Sequence, residues 1–180
     1  MSCAGEHPTT RMCLLELEGM SGPGGRLQGA RVMDYGAGSG VLALAALKLG
    51  AARAVGTDVD PLAVRSARRN AELNGYNEDA LCVLQCGQSL KDAEPVQQAK
   101  GNAYGNPPQF DIVCANILRG PLFELAPRLL SYARPGSTLV LSGLLVEQVP
   151  EVMGAYAAHV SNVQVRNDGP WACVTALRLA

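Results

Sequence analysis

The chain has 180 residues and a formal net charge of -1, from 15 Lys+Arg against 16 Asp+Glu, which argues against a protein whose main task is to coat nucleic acid or anionic lipid. An apolar fraction of 48% with only 17% charged residues excludes disorder throughout, and an aromatic content of 4% calls for an aliphatic core of Ala, Leu and Val. No apolar run is long enough to span a bilayer, and residues 1–10, with His7 and Pro8 and no apolar stretch, carry no secretory pattern.

Two patterns alternate along the chain. β-rich runs fall at 31–35, 54–57, 81–85, 110–115, 138–142, 160–166 and 171–179, and helical stretches at 40–49, 61–74, 121–133 and 148–159. Asp60-Pro61 supplies an N-cap followed by proline in the first helical position, and Asn74-Gly75 supplies the stop. The basic residues of that helix (Arg65, Arg68, Arg69) read as a solvated face. The last two runs are separated by Asn167-Asp168-Gly169-Pro170, a turn, with no helix between them. The pattern predicts an α/β fold: a doubly wound, mostly parallel sheet of seven strands, helices on both faces and an antiparallel hairpin at the C-terminus. Residues 88–109, rich in Gln, Asn, Gly and Pro, read as a flexible surface insertion. The six cysteines form no C-x-x-C pair, so no metal site is expected and a reducing compartment is the natural setting. Cys82, Cys114 and Cys173 lie in apolar runs and read as buried small hydrophobes.

The chemistry concentrates in Val32-Met33-Asp34-Tyr35-Gly36-Ala37-Gly38-Ser39-Gly40, a strand running through a glycine-rich turn into a helix. Such a turn brings backbone close to a ligand and presents free N–H groups. A dinucleotide fingerprint needs G-x-G-x-x-G/A, but here the third glycine comes one place early and Val41 stands where Gly or Ala is wanted. G-x-G-x-G with an acid ahead of it, Asp34, is instead the Rossmann-like pattern of class I methyltransferases, which bind S-adenosylmethionine. Asp58 ends the second strand, where a carboxylate accepts hydrogen bonds from ribose hydroxyls. Asp60 is better placed to cap the helix, which leaves Asp58 for that role. Asn116 is the first polar residue beyond an apolar strand, at the carboxyl edge where ligands of open α/β sheets sit, and its amide oxygen suits an amine substrate. The third strand ends at Cys86-Gly87 without an acid, so adenine would be held by backbone groups. Asn106-Pro107-Pro108 precedes a strand rather than ending one, and reads as loop.

Five stretches together resemble the ribosomal protein L11 methyltransferases of the PrmA type: Gly5-Glu6-His7-Pro8-Thr9-Thr10-Arg11-Met12-Cys13-Leu14, Asp34 through Gly50, Gly56-Thr57-Asp58-Val59-Asp60-Pro61-Leu62-Ala63, Val113-Cys114-Ala115-Asn116-Ile117-Leu118, and Leu141-Ser142-Gly143-Leu144-Leu145. A more distant resemblance is to the lysine methyltransferase of the electron-transfer flavoprotein β subunit. The resemblance implies an S-adenosylmethionine-dependent protein N-methyltransferase acting on lysine amines of a ribosomal or similar protein. It implies cofactor contacts from Thr10, Gly36, Gly38, Gly40, Asp58 and Asn116, with Asn116 also catalytic and no metal. His7 is expected to pack the N-terminal segment over the cofactor, and Trp171 to serve core or edge packing. Ser2-Cys3-Ala4-Gly5 departs from the family's Phe-Gly-Thr-Gly. The expectation is one class I methyltransferase domain over 1–180, lacking the family's N-terminal substrate-recognition domain. A monomer is expected, with no membrane or direct nucleic-acid partner, placed in the cytoplasm or an organelle stroma or matrix. Two readings stay open beside it: a different amine acceptor, protein or small molecule, and a non-catalytic binding domain that keeps the fold.

Overall fold

Seven strands form one sheet in the order β3-β2-β1-β4-β5-β7-β6. In the computed structural model, which describes residues 7–92, 95–98 and 108–180, they are β1 (Arg31–Tyr35), β2 (Arg53–Asp58), β3 (Leu81–Gln85), β4 (Phe110–Asn116), β5 (Ala133–Leu145), β6 (Val160–Asp168) and β7 (Trp171–Arg178). The first five run parallel, and β7 is antiparallel to both neighbours. The expected C-terminal hairpin is present, with Gly169-Pro170 linking the paired Asp168 and Trp171. The chain steps outward from β1 to β3, then crosses back to β4, so the strand order reverses between β1 and β4. A crevice at the carboxyl ends of those two strands is the ligand position in such sheets.

Strand alternation sends neighbouring side chains to opposite faces. Val32, Ile112, Cys114, Val140 and Cys173 pack beneath α1 (Pro8–Gly19), α2 (Val41–Lys48) and α3 (Pro61–Leu73). Met33, Val113, Leu139 and Leu141 pack beneath α5 (Arg119–Glu124), α6 (Ala126–Tyr132) and α7 (Val149–Gly154). Burial on both faces explains why the central strands read as continuous apolar runs. Cys82, Cys114 and Cys173 are buried as expected.

Three helical expectations change. Helix α1 was not expected at all. Its buried positions Thr9, Met12, Cys13 and Leu17 follow a helical period, and Pro8 opens it, but the more exposed Leu14 and Leu15 blur the pattern. The 121–133 stretch divides at Leu125, because Pro127 has no N–H to give the preceding turn. The 148–159 stretch shortens to α7 between two 3₁₀ turns. Within 88–109, residues 93–94 and 99–107 lie outside the described residues. Of the rest, α4 (Pro95–Gln98) buries Val96 in the core, and Arg128 of α6 donates to the carbonyls of Leu90 and Asp92. Among the described residues no helix is long and apolar enough to cross a membrane.

Candidate active site

The site begins where β1 stops. Gly36 turns the chain at a φ of 76°, and its N–H and that of Ala37 both donate to the Thr57 carbonyl at 2.8 Å. A Cβ at Gly36 would overlap the Ile117 side chain, so the absent side chain lets the ends of β1 and β4 meet. Gly38 follows, its N–H donating to Asp58 Oδ2 at 2.8 Å, and Gly40 ends the turn as the N-cap of α2.

Asp58 does not cap a helix. Its Oδ1 accepts from the Asp60 N–H at 3.0 Å, while Asp60 itself caps α3 through the Leu62 N–H at 2.8 Å. Each Asp58 oxygen thus takes one backbone donor and keeps a lone pair for a ligand hydroxyl.

Asp34 lies one layer deeper. Its carboxylate accepts from the Ala43 N–H at 3.1 Å, one of the unpaired donors at the start of α2. Burial pushes this carboxyl up to about 7, against the lowering effect of that N–H and with a small raising contribution from Asp58. Cys114, on the same face, is also pushed up by burial, and neither thiol of the Cys13–Cys173 pair, 4.0 Å apart, reaches solvent.

Helix α1 forms the facing wall. His7 caps it, Nδ1 accepting from the Thr9 N–H at 3.4 Å and lying 2.8 Å from Thr9 Oγ1. The His7 ring meets Trp171 of β7 edge-on, with centroids 4.8 Å apart. One turn on, Thr10 Oγ1 accepts from Asn116 Nδ2 at 3.1 Å. Asn116 is the last residue of β4 and does not cap α5, whose N-cap is Leu118. Behind it Gly143, at a φ of 89°, sits in a bulge of β5. A side chain there would overlap the Ile117 carbonyl, while the Ile117 N–H donates to Ser142 at 3.1 Å.

Two cavities adjoin across Gly36. One, of about 360 Å³, is lined by His7, Thr10, Asp34, Gly38 and Asn116. The other, of about 400 Å³, is lined by Tyr35, Asp58, Cys86, Gln88, Ile117 and Glu124. Of the six expected site residues, Thr10, Gly36, Gly38, Asp58 and Asn116 line this double cleft, and Gly40 shapes its turn from behind. Glu124 was not foreseen. No acid ends β3, but α5 carries one into the same cavity across the sheet edge, which only the tertiary fold reveals. Among the described residues no group of acids, cysteines and histidines is arranged to hold a metal. Asn106 and Pro107 of the expected loop, and residues 2–5, lie outside the described residues.

A sheet of this order, with a glycine turn after β1 and a double cleft at the strand reversal, defines the class I methyltransferase fold. A structure of an RNA methyltransferase from Salinibacter ruber, in complex with S-adenosyl-L-homocysteine, shares it at a TM-score of 0.62 and 19% identity, over 92% of this chain and 88% of that one. The chain belongs to the ribosomal protein L11 methyltransferase (PrmA) family, whose model matches residues 3–178. It is 47% identical over 155 residues to the ribosomal protein L11 methyltransferase of Pseudomonas paraeruginosa, a match covering 86% of this chain and 46% of that protein. The ribosomal protein L11 methylase of Lactobacillus delbrueckii subsp. bulgaricus superposes with a TM-score of 0.75 at 30% identity, over 98% of this chain and 81% of that one. The chain spans about half the length of the curated relatives it matches.

Proposed function

We propose that the chain is an S-adenosylmethionine-dependent protein N-methyltransferase that modifies lysine amines of a ribosomal or similar protein. The observation that carries this reading is the double cleft, with a carboxylate at one end and an uncharged amide acceptor at the other. The residues fit the cofactor. Asp58 keeps lone pairs for two ribose hydroxyls, and the cavity of Cys86, Gln88 and Glu124 suits adenine. The cavity of Asp34 and Thr10 suits the amino-acid end. When bound, S-adenosylmethionine supplies a methyl group on a positively charged sulfur.

The chain's own residues do the rest. Asn116 Oδ1 accepts a hydrogen bond from the substrate amine and so aims its lone pair. An uncharged acceptor suits this step, since the amine must arrive neutral and loses its extra proton only after the methyl group is transferred. Asp34 offers a buried carboxylate that a cationic group nearby would hold ionised. The relatives' names, methyltransferases of ribosomal protein L11, support a ribosomal protein as the substrate, and a setting in the compartment that holds ribosomes.

Incubation with methyl-labelled cofactor and purified ribosomal protein tests the reading. Label on protein amines, lost in Asn116→Ala, supports it. Label that appears only on small-molecule amines, or persists unchanged in Asn116→Ala, contradicts it.

A further inference from the structure

The resemblance gives Thr10 a place beside the cofactor, but its observed partner is Asn116. An asparagine carboxamide has two faces of opposite character, one acceptor oxygen and one N–H₂ donor. Turned one way, it accepts from an amine and leaves the nitrogen lone pair free to attack. Turned the other way, it donates to that lone pair and occupies the electrons the reaction needs. The carboxamide alone has no strong preference, so something must hold it.

Thr10 Oγ1 takes the Asn116 Nδ2–H at 3.1 Å, across 106 residues of chain. Both residues line the same cavity. With the nitrogen engaged, the oxygen is left for the substrate. We infer that Thr10 is a positioning residue that fixes the Asn116 carboxamide with its oxygen toward the incoming amine. This inference rests on the functional reading above and deepens it.

The placement of Thr10 is itself secured from the far side. Helix α1 is fastened to the β6–β7 hairpin by four contacts. His7 packs on Trp171, Arg11 pairs with Asp168 at 3.3 Å, Cys13 meets Cys173 at 4.0 Å, and Arg166 donates to Glu16 at 2.5 Å. The hairpin therefore holds the helix, the helix holds Thr10, and Thr10 holds Asn116. Thr10 is half-buried in the first turn of α1, so Thr10→Val keeps its shape and replaces the hydroxyl by a methyl group.

Two readouts test this. In the 18.8 kDa protein, the side-chain amide protons of Asn116, assigned by their loss in Asn116→Ala, are expected to shift in Thr10→Val and to stay near wild type in Thr10→Ser. In steady-state kinetics, Thr10→Val is expected to lower kcat about tenfold or more while the cofactor KM stays within about threefold, with Thr10→Ser restoring most of the rate. An Asn116 amide signal that ignores Thr10→Val overturns the inference. So does a Thr10→Val variant with normal kcat and a raised cofactor KM, which would make Thr10 a cofactor contact alone. If the wild-type chain transfers no methyl group but its Asn116 signal responds to Thr10→Val, the functional reading fails and the positioning contact stands.

Discussion

The two walls of the cleft are built by different means. The wall after β1 and β2 is local. The Gly36, Ala37 and Gly38 N–H groups bind Thr57 and Asp58, about 20 residues away. The wall formed by α1 is assembled at long range, since its partners Asn116, Asp168, Arg166 and Cys173 all lie more than 100 residues distant. A local wall depends on single backbone conformations and fails at single positions. A long-range wall spreads its attachment over several modest contacts and resists the loss of any one.

Gly143 joins the two, and changing it should have the largest effect. Gly143→Ala adds a side chain at a positive φ directly against the Ile117 carbonyl, and backbone has little room to yield. A loss of about 3–5 kcal/mol in denaturant unfolding is expected. A loss under about 1 kcal/mol would mean the β5 bulge is not needed to seat Ile117 and Asn116.

Gly36→Ala should break the local wall with a smaller stability cost, about 1–3 kcal/mol, because the clash is with the Ile117 side chain, which can move. Its main effect should fall on ligand affinity. S-adenosylhomocysteine binding should weaken about tenfold or more by calorimetry, since Gly36 lines both cavities and an added methyl group there intrudes on the cleft.

Asp34 sharpens the comparison through pH. Its folded pKa, about 7, lies above its ordinary value of 3.8, so the folded state binds the proton more tightly. Stability should therefore fall as pH rises from about 4 to about 7 and level off above that, by a few kcal/mol in total from this group. Asp34→Asn should flatten that slope in thermal unfolding across pH. A cationic ligand in this cavity favours the ionised form, so binding near pH 7 should release protons, seen in calorimetry as a dependence on buffer ionisation heat.

The smallest effect belongs to the long-range wall. Arg166→Ala removes one ion pair, from a half-exposed Arg166 to a more covered Glu16, and should cost less than about 1 kcal/mol, with the effect shrinking in salt. Removing Arg11 and Arg166 together tests whether the anchors share the work. The double variant is expected to lower kcat more than the product of the single effects.

What the sequence made legible follows the same division. The glycine turn, Asp58 and the Asp60 cap were readable because each stands in a short motif at the end of a strand, although the turn's own partners lie about 20 residues on. Strand β4 and Asn116 were readable because an apolar run ends there on a polar residue. Helix α1 escaped because its amphipathic face is completed by a hairpin at the other end of the chain and its cap is a histidine, an uncommon capping residue. The link from Thr10 to Asn116 and the arrival of Glu124 beside Gln88 depend on crossings of the sheet that no local pattern encodes. The division of the 121–133 stretch could have been anticipated from Pro127, which stands inside an otherwise helical run.

The double cleft is proposed to hold S-adenosylmethionine, with Asp58 at one end and Asn116 at the other. Calorimetric titration of the full chain with S-adenosylhomocysteine tests it most directly. Saturable one-to-one binding is expected, displaced by S-adenosylmethionine and weakened at least about tenfold in Asp58→Ala. Binding of a nicotinamide dinucleotide in place of both, or S-adenosylhomocysteine affinity unchanged in Asp58→Ala, would contradict it.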